Sequence, residues 1–596
     1  MRVPHLTDRT GALACLVLGA ALAVPLGLRH DLPGTEDLST HAALIESQFQ
    51  AWRTLGRPSP YVAPLGGQEH FAPTPAIYGG AAYAVLGLAR YVAPLPLVLV
   101  LAVAVGWAAT AWGLYRIARA VRCPPATALA IASATVASGQ VVSTVYARMA
   151  LLEVIGWGAV LAVAGAVALI AVEGARRRPG ALVVIAGGTA ATASHLLTAT
   201  WAVVLAVSFS CAAWAVWRPA LGPARRWAPV GAAGLVGVLA TSWQWPVVAH
   251  VFGATTTDRP RDYLASGWFL APLGTGSGPN LWRELDPFRP PVGSDALAAH
   301  RTTLPVLLAV WTIAVLVATR SDPARARTRR FAIVCLTVGI VLLALPRSPG
   351  LVDVLWPVAT MQYHWRLLTY VAVAIAIAAI ATAARRGQGH PHPTATRLLV
   401  ALAVVEVVLG GVQAWGIGGP AVPSAGVGTA AGRAQQADPN PWVQSNRDLF
   451  RAADLPELPA QPSARVLAAG DSPEADVVLE LEGGDRATAP VVAGPPVVDV
   501  AAPGRAVGWA PRTAPPTTDL QADANHLLLV VASDGADGTD TAERADVVRI
   551  APASSGPLGW ARATIGPATW ALLLVVVGGA FASAARALRR PRTPVR

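Results

Sequence analysis

Residues 76–122 read AIYGGAAYAVLGLARYVAPLPLVLVLAVAVGWAATAWGLYRIARAVR, and the number of times this segment crosses a membrane sets the orientation of everything after it. An apolar helix needs about 20 residues to cross the hydrocarbon core. The run from Leu95 has that length, and Ala76–Tyr91 comes close to it. Charge separates the two. Arg116, Arg119 and Arg122 close the second run, and short Arg-rich loops belong on the cytoplasmic side. Were both runs to span, these Arg residues would face outside and every later loop would invert. Ala76–Tyr91 is therefore read as an interfacial helix within a long first outer loop.

Working outward, apolar runs of spanning length begin near Gly11, Leu95, Thr127, Ala150, Ala181, Ala199, Val230, Leu304, Phe331, Leu367, Leu398 and Pro567. With 54% hydrophobic and 13% charged residues and a mean hydropathy of +0.48, the expected fold is an all-α polytopic membrane protein of about twelve transmembrane helices. Arg2 and Arg9, Arg176–Arg178, Arg218 with Arg225 and Arg226, the 320–330 cluster, Arg385, Arg386 and Arg397, and the 589–596 tail fall at alternate helix ends. Both termini are thus expected in the cytoplasm. The net charge of +12 lies in these loops rather than on one soluble face, which argues against a nucleic-acid partner. Every cation is Arg, with no Lys in the chain, a codon-composition effect rather than a recognition device. Cys15, Cys123, Cys211 and Cys335 fall within or at the cytoplasmic ends of expected helices and show no disulfide or zinc spacing. Ala21-Leu22-Ala23 looks like a cleavage site, but the apolar run continues through Leu28, so the first helix is read as retained.

Residues 1–416 form the expected transmembrane domain, with outer loops at 29–94 and 251–303 and a third, mostly apolar, at 346–365. In His41–Leu55 the apolar positions Ala42, Ile45, Phe49 and Trp52 have helical spacing, so an amphipathic interfacial helix is expected. From 417 to 560 hydropathy falls and 18 acids face 9 Arg. Short runs at Val477–Leu481, Val491–Val500, Leu527–Val531 and Val547–Ile550 read as strands of a small β-rich extracytoplasmic domain. Gly418–Gln436 reads as a linker, and 561–596 as a last helix and basic tail.

Ionisable groups at a membrane edge need a partner or a purpose. Asp37, beside Glu36 and with His41 one helical turn on, lies shortly beyond the first apolar run, where a carboxylate can take a proton from a hydroxyl. Equally, Glu36 and Asp37 can simply open the next helix as favourable N-terminal charges. In Tyr146-Ala147-Arg148-Met149-Ala150-Leu151-Leu152-Glu153, Arg148 and Glu153 are neither i,i+3 nor i,i+4 partners. Either can reach a cavity, or serve as a snorkelling Arg and a Glu satisfied by a neighbouring helix. Ser194-His195-Leu196-Leu197-Thr198 and Met361-Gln362-Tyr363-His364-Trp365-Arg366 place His195, His364 and Arg366 at outer helix ends, where they suit a lipid phosphate or an interfacial anchor. Glu406, the chief intramembrane acid, reads as hydrogen-bonded to a neighbouring helix. No metal set is evident; His390 and His392 are too few.

Taken in order, Asp37 and His41, the Pro/aromatic segment Pro73–Tyr83, Tyr-x-Arg-x-Ala-x-x-Glu at 146–153, His-Leu-x-Thr at 195–198 and Gln-aromatic-x-Trp-Arg at 362–366 resemble the bacterial membrane proteins called "6-pyruvoyl-tetrahydropterin synthase-related". These belong with polytopic glycosyltransferases of the GT-C type. The resemblance covers roughly residues 10–385 and implies a GT-C-like fold that transfers a sugar from a polyprenyl-phosphate donor to an envelope glycan, glycolipid or protein at the outer face of the cytoplasmic membrane. It implies Asp37 as base on the acceptor hydroxyl, with Arg366, helped by His195 or Arg148, neutralising the departing lipid phosphate. Glu36, His41, Glu153 and His364 complete the implied substrate-binding set, and a divalent cation at Asp37 is left open. The sequence departs from the pattern at Gln68-Glu69-His70-Phe71 and at His364, where many members carry Pro. It also lacks the three-His zinc set of a soluble pterin synthase. Two other classes fit twelve helices: a transporter or flippase of lipid-linked sugars, and a non-catalytic scaffold. Polar residues gathered at outer helix ends favour surface chemistry over a midplane transport site.

Overall fold

The computed structural model describes residues 8–28, 31–33, 79–146, 149–173, 196–217, 227–246, 304–344, 366–384, 393–416, 421–423 and 563–574, isolated positions between 41 and 58 and at 187, 194, 560 and 561, and the backbone of six strands between 464 and 549. Its helices are α1 Asp8–Leu28, α2 Gly80–Ala89, α3 Leu95–Ala120, α4 Pro125–Val136, α5 Gly139–Tyr146, α6 Leu151–Glu173, α7 Leu196–Trp217, α8 Ala228–Leu239, α9 Val306–Ala318, α10 Ala326–Ala344, α11 Leu367–Ala383, α12 Pro393–Gly416 and α13 Ala563–Leu574.

Helix α3 is the hub, and small residues let its neighbours approach it closely. A Cβ on Gly19 of α1 would sit 2.5 Å from the Ala104 carbonyl oxygen, and one on Gly11 would strike the Tyr115 ring. Helix α1 is therefore antiparallel to α3. Gly106 and Gly113 of α3 meet Gly158 and Gly165 of α6 in matching order, so these two helices run parallel, backbone against backbone. Cys123, just past α3, donates to the Ile380 carbonyl at 3.4 Å near the end of α11. The end of α1 and the beginnings of α3, α6 and α11 consequently share one face.

Helix α1 carries Pro25, which breaks the backbone hydrogen-bond ladder from within. Tyr146, the last residue of α5, inserts its hydroxyl there, donating to the Leu22 carbonyl at 2.6 Å and accepting from the Leu26 N–H at 3.2 Å. The inserted side chain is a recognised cause of helix bending, and it fixes the α5 terminus to α1. At the other end of the same short helix, the α4–α5 pair bends by 46°. Gly410 of α12 fits against the Ala137 carbonyl at that break.

Large apolar side chains on the outer helix faces, among them Leu13 and Val17 of α1, Val203 and Val207 of α7 and Val404, Val408 and Val412 of α12, are roughly half exposed or more. Stripes of this kind suit lipid rather than water, and the protein is a helical membrane protein.

The expectation of about twelve crossings is corrected. Helices stand at each expected start except Ala181, which lies outside the described residues. Yet among the described residues only four are long and apolar enough to cross, within α1, α3, α6 and α12, or five if α4–α5 is one bent span. For the shortest of the remaining helices the physical reason is length. At 1.5 Å per residue, the thirteen-residue α9 reaches only about 20 Å against a hydrocarbon core of about 30 Å. Helix α2, with ten residues, is shorter still, in keeping with the interfacial reading of Ala76–Tyr91.

The expectation of a β-rich domain in the fold class is corrected as well. Where side chains are described, the chain is about 89% helical and holds no strand. Strand backbones occur in three small antiparallel sheets: β1 Asp31–Pro33 with β2 Ala421–Pro423; then β3 Ala464–Ala469, β4 Asp476–Leu481 and β5 Arg486–Pro490; then β6 Arg505–Trp509, β7 Leu528–Ala532 and β8 Ala545–Arg549. Two or three strands make a domain only when a face is buried, and none of their side chains is among those described. The β1–β2 pairing also revises the linker reading at 418–436, because Ala421–Pro423 ties the end of α12 back to the end of α1.

Candidate functional site

Three of the motif segments meet at the beginnings of α6, α7 and α11. Glu153 lies in the first turn of α6 and Arg366 immediately precedes α11. Their side chains form an ion pair, Arg366 Nε to Glu153 Oε1 at 2.8 Å, with each about 94% buried. Each charge accounts for the other. A carboxylate suits a helix N-terminus and a guanidinium does not, so Arg366 depends on Glu153 for its stability at the opening of α11. Charge-assisted geometry at this distance also holds the guanidinium plane in one orientation.

One turn further along each helix a second layer repeats the contact with aromatics. Trp157 and Tyr370 pack edge to face with ring centroids 4.4 Å apart, and Trp201 of α7 adds a third ring 6.3 Å from Tyr370. The Tyr370 hydroxyl donates to the Thr198 carbonyl of α7 at 3.3 Å. Gly156 lets α6 approach Ser194, whose hydroxyl would lie 2.7 Å from a Cβ placed there. Trp157 and Tyr370 were not singled out from sequence, although both stand at i+4 from a motif charge, the spacing that puts two side chains on one helix face.

The turn that delivers Glu153 is strained. Met149 is wholly buried with φ 55°, a left-handed conformation uncommon in a residue with a Cβ and worth about 1–3 kcal/mol of strain. Its N–H bonds the Val145 carbonyl at 2.6 Å and the Ala150 N–H bonds the Thr144 carbonyl at 2.9 Å. The chain thereby reverses directly from α5 into α6.

His41 belongs to a second cluster. The described residues between His41 and Trp52 are helical, with Ala42, Ile45 and Ala51 wholly buried, in keeping with the amphipathic helix expected there. They pack on α2, where Gly87 admits the backbone of Gln48 and Phe49. His41 Nδ1 lies 2.6 Å from the Tyr83 hydroxyl, and Trp52 Nε1 donates to the Ala84 carbonyl at 2.8 Å. The Pro73–Tyr83 segment thus reaches the His41 helix through Tyr83, with Gly79 at φ 100° opening α2, a conformation glycine adopts without strain.

Of the eight candidate residues, Glu153 and Arg366 are brought together and His41 is placed with Tyr83. Glu36, Asp37, Arg148, His195 and His364 lie outside the described residues. Among the described residues no three His, Cys, Asp or Glu side chains gather as a metal site.

No protein family matches the chain, and no curated protein does. Two solved structures are similar to it. One is the archaeal oligosaccharyltransferase AglB from Archaeoglobus fulgidus in complex with an inhibitory peptide and a dolichol-phosphate, at 14% identity and a TM-score of 0.31 over 76% of this chain and 61% of that one. The other is the Archaeoglobus fulgidus oligosaccharyltransferase tethered to an acceptor peptide containing the NVT sequon, at 13% and 0.32 over 74% and 59%. The chain spans about three fifths of the length of these proteins. Likeness of this degree does not establish a shared fold.

Proposed function

We propose that this protein is a membrane glycosyltransferase that moves a sugar from a polyprenyl-phosphate donor to an envelope glycan, glycolipid or protein at the outer face of the cytoplasmic membrane. The observation that carries this reading is the buried Glu153–Arg366 pair, which unites motifs 213 residues apart at the face where α1 ends. The Arg116–Arg122 end of α3 lies on the opposite side, which supports taking the face of the pair as external.

In this mechanism Asp37, a few residues past the end of α1, removes the proton from the acceptor hydroxyl as it attacks the anomeric carbon. The bond from that carbon to the lipid phosphate breaks, and the phosphate leaves with the electron pair. Arg366, with His195, His364 and Arg148 of the neighbouring motifs, balances the charge that grows on the phosphate. Glu153 is a positioning residue that orients the guanidinium, while Glu36 and His41 flank the base. A lipid-linked donor accounts for a membrane-embedded enzyme facing a compartment without nucleotide sugars.

The test is sugar transfer from a polyprenyl-phosphate donor in membranes of a deletion strain that carries the native protein or Asp37→Asn. Transfer should fall at least about 100-fold in the variant at equal protein level, the scale of a lost general base. Equal transfer by both proteins would remove Asp37 from the chemistry, and unaltered envelope glycans in the deletion strain would remove the activity. The transporter reading draws on a different observation, Glu406 buried beside the start of the short helix α9.

A further inference from the structure

Helix α12 has the composition of a membrane span and is interrupted by one acid, Glu406, which is only 2% exposed. Its carboxyl accepts a hydrogen bond from the N–H of Leu307, in the first turn of α9. That N–H is one of the four that a helix start leaves without an internal partner. The second oxygen, Oε1, is buried and meets no hydrogen-bond partner among the described residues. Other polar side chains in these helices close onto their own backbone: Thr135 of α4 bonds the Ile131 carbonyl and Thr312 of α9 the Leu308 carbonyl. Glu406 is too long and too polar for that solution.

Among the described residues, the helices packed on it offer its charge no counterpart. The helices packed most extensively against α12 are α4, α5, α9 and α1. Helices α4, α5 and α9 contain no charged or titratable side chain apart from the terminal Tyr146 of α5, whose hydroxyl is held by α1. Helix α1 carries charge only at Asp8 and Arg9, its first two residues, and otherwise offers the thiol of Cys15. Within α12 the other ionisable group is Arg397, more than two turns away. A bare carboxylate buried this way is costly. The partial charge at a helix start, about half a unit, offsets only part of that cost.

We propose that Glu406 is a buried proton-binding site at the junction of α12 and α9, where the carboxyl keeps a proton while one oxygen caps the start of α9. This inference is independent of the glycosyltransferase reading. With the proton bound, the junction is neutral and α9 is seated on α12. Loss of the proton leaves a charge facing apolar side chains and favours water entry or separation of the two helices.

Two measurements on the full-length protein in lipid test the proposal. In the infrared, the native protein should show a carboxylic C=O stretch above the amide band that Glu406→Gln removes. The Gln variant keeps an acceptor for the Leu307 N–H, so the fold is retained. Dicyclohexylcarbodiimide at neutral pH should then mark the same residue: the acid O–H adds across a C=N bond, oxygen to carbon and proton to nitrogen, and the adduct rearranges to a stable N-acylurea. Mass spectrometry should find one reagent mass on the peptide holding Glu406, unaffected by sodium chloride and abolished in Glu406→Gln. A native spectrum without that band overturns the proposal whether or not the reagent has access. Suppression of the adduct by sodium also overturns it, because it would identify an ionised carboxylate holding a metal cation.

Discussion

At the junction of α6 and α11, Glu153 is buried against a guanidinium at 2.8 Å, whereas at the junction of α9 and α12 Glu406 is buried against a peptide N–H. The surroundings differ to match. The first region adjoins the glycine seam of α3 and α6 and carries a layer of three aromatic rings. The second borders lipid, and α12 turns Val404, Val405, Val408 and Val412 outward on either side of the acid. An ion pair needs two long side chains held in register, which tightly packed helices provide. Where one helix face is open to hydrocarbon and the helices packed on the acid bring no cation among the described residues, a neutral carboxyl is the lower-energy form.

The contrast breaks first if Glu153 tolerates the loss of its cation. Arg366→Ala strands a carboxylate in the packed region and should cost about 3–5 kcal/mol, read as a large fall in melting temperature in detergent and in the amount of folded protein. Removing both charges, Glu153→Ala with Arg366→Ala, should recover much of that loss, because no uncompensated charge remains. A double variant no better than Arg366→Ala would show that packing, rather than charge, holds α6 to α11.

A smaller effect tests the seam itself. Gly113→Ala directs a methyl group at the Leu161 backbone of α6, which has no rotamer with which to yield. Overpacking of this kind should cost about 1–3 kcal/mol. A melting temperature unchanged within error would mean that α3 and α6 slide freely and that the ion pair is not held by a rigid seam.

Much of this organisation is legible in the sequence, and the failures have identifiable causes. Arg116, Arg119 and Arg122 argue that Ala76–Tyr91 does not span, because a charge rule depends on composition and not on fold, and the ten-residue helix Gly80–Ala89 within it is in keeping with that. The same apolar runs misjudge the number of crossings. Hydropathy reports whether a segment prefers lipid, and it is blind to the break at Ala137–Ser138 that bends α4 against α5. The motif charges Glu153 and Arg366 were chosen individually for a substrate, and sequence spacing gives no sign that they choose each other across 213 residues. Tyr146 was part of a motif, but its engagement with the Leu22 carbonyl at a proline break in α1 is a tertiary fact. The bland reading of Glu406 as bonded to a neighbouring helix holds for the contact with Leu307. It says nothing about the second oxygen.

The smallest expected effect comes from two adjacent glycines of α12. Gly410 presses on the Ala137 carbonyl, while nothing lies within 4 Å of a Cβ built on Gly411. Glycine inside a helix costs roughly 0.5–1 kcal/mol relative to alanine through its greater freedom in the unfolded chain. Gly411→Ala should therefore be neutral or raise stability by up to about that amount, and Gly410→Ala should lower it by pushing α12 off the α4–α5 bend. The pair sharpens the comparison because the two residues share a helix, a depth and a composition, and differ only in which side they face. If thermal unfolding in detergent ranks them the other way, the open side of α12 is the Gly410 side. Glu406, one helical turn before Gly410, would then face the lipid rather than α9, leaving the proton site without its burial.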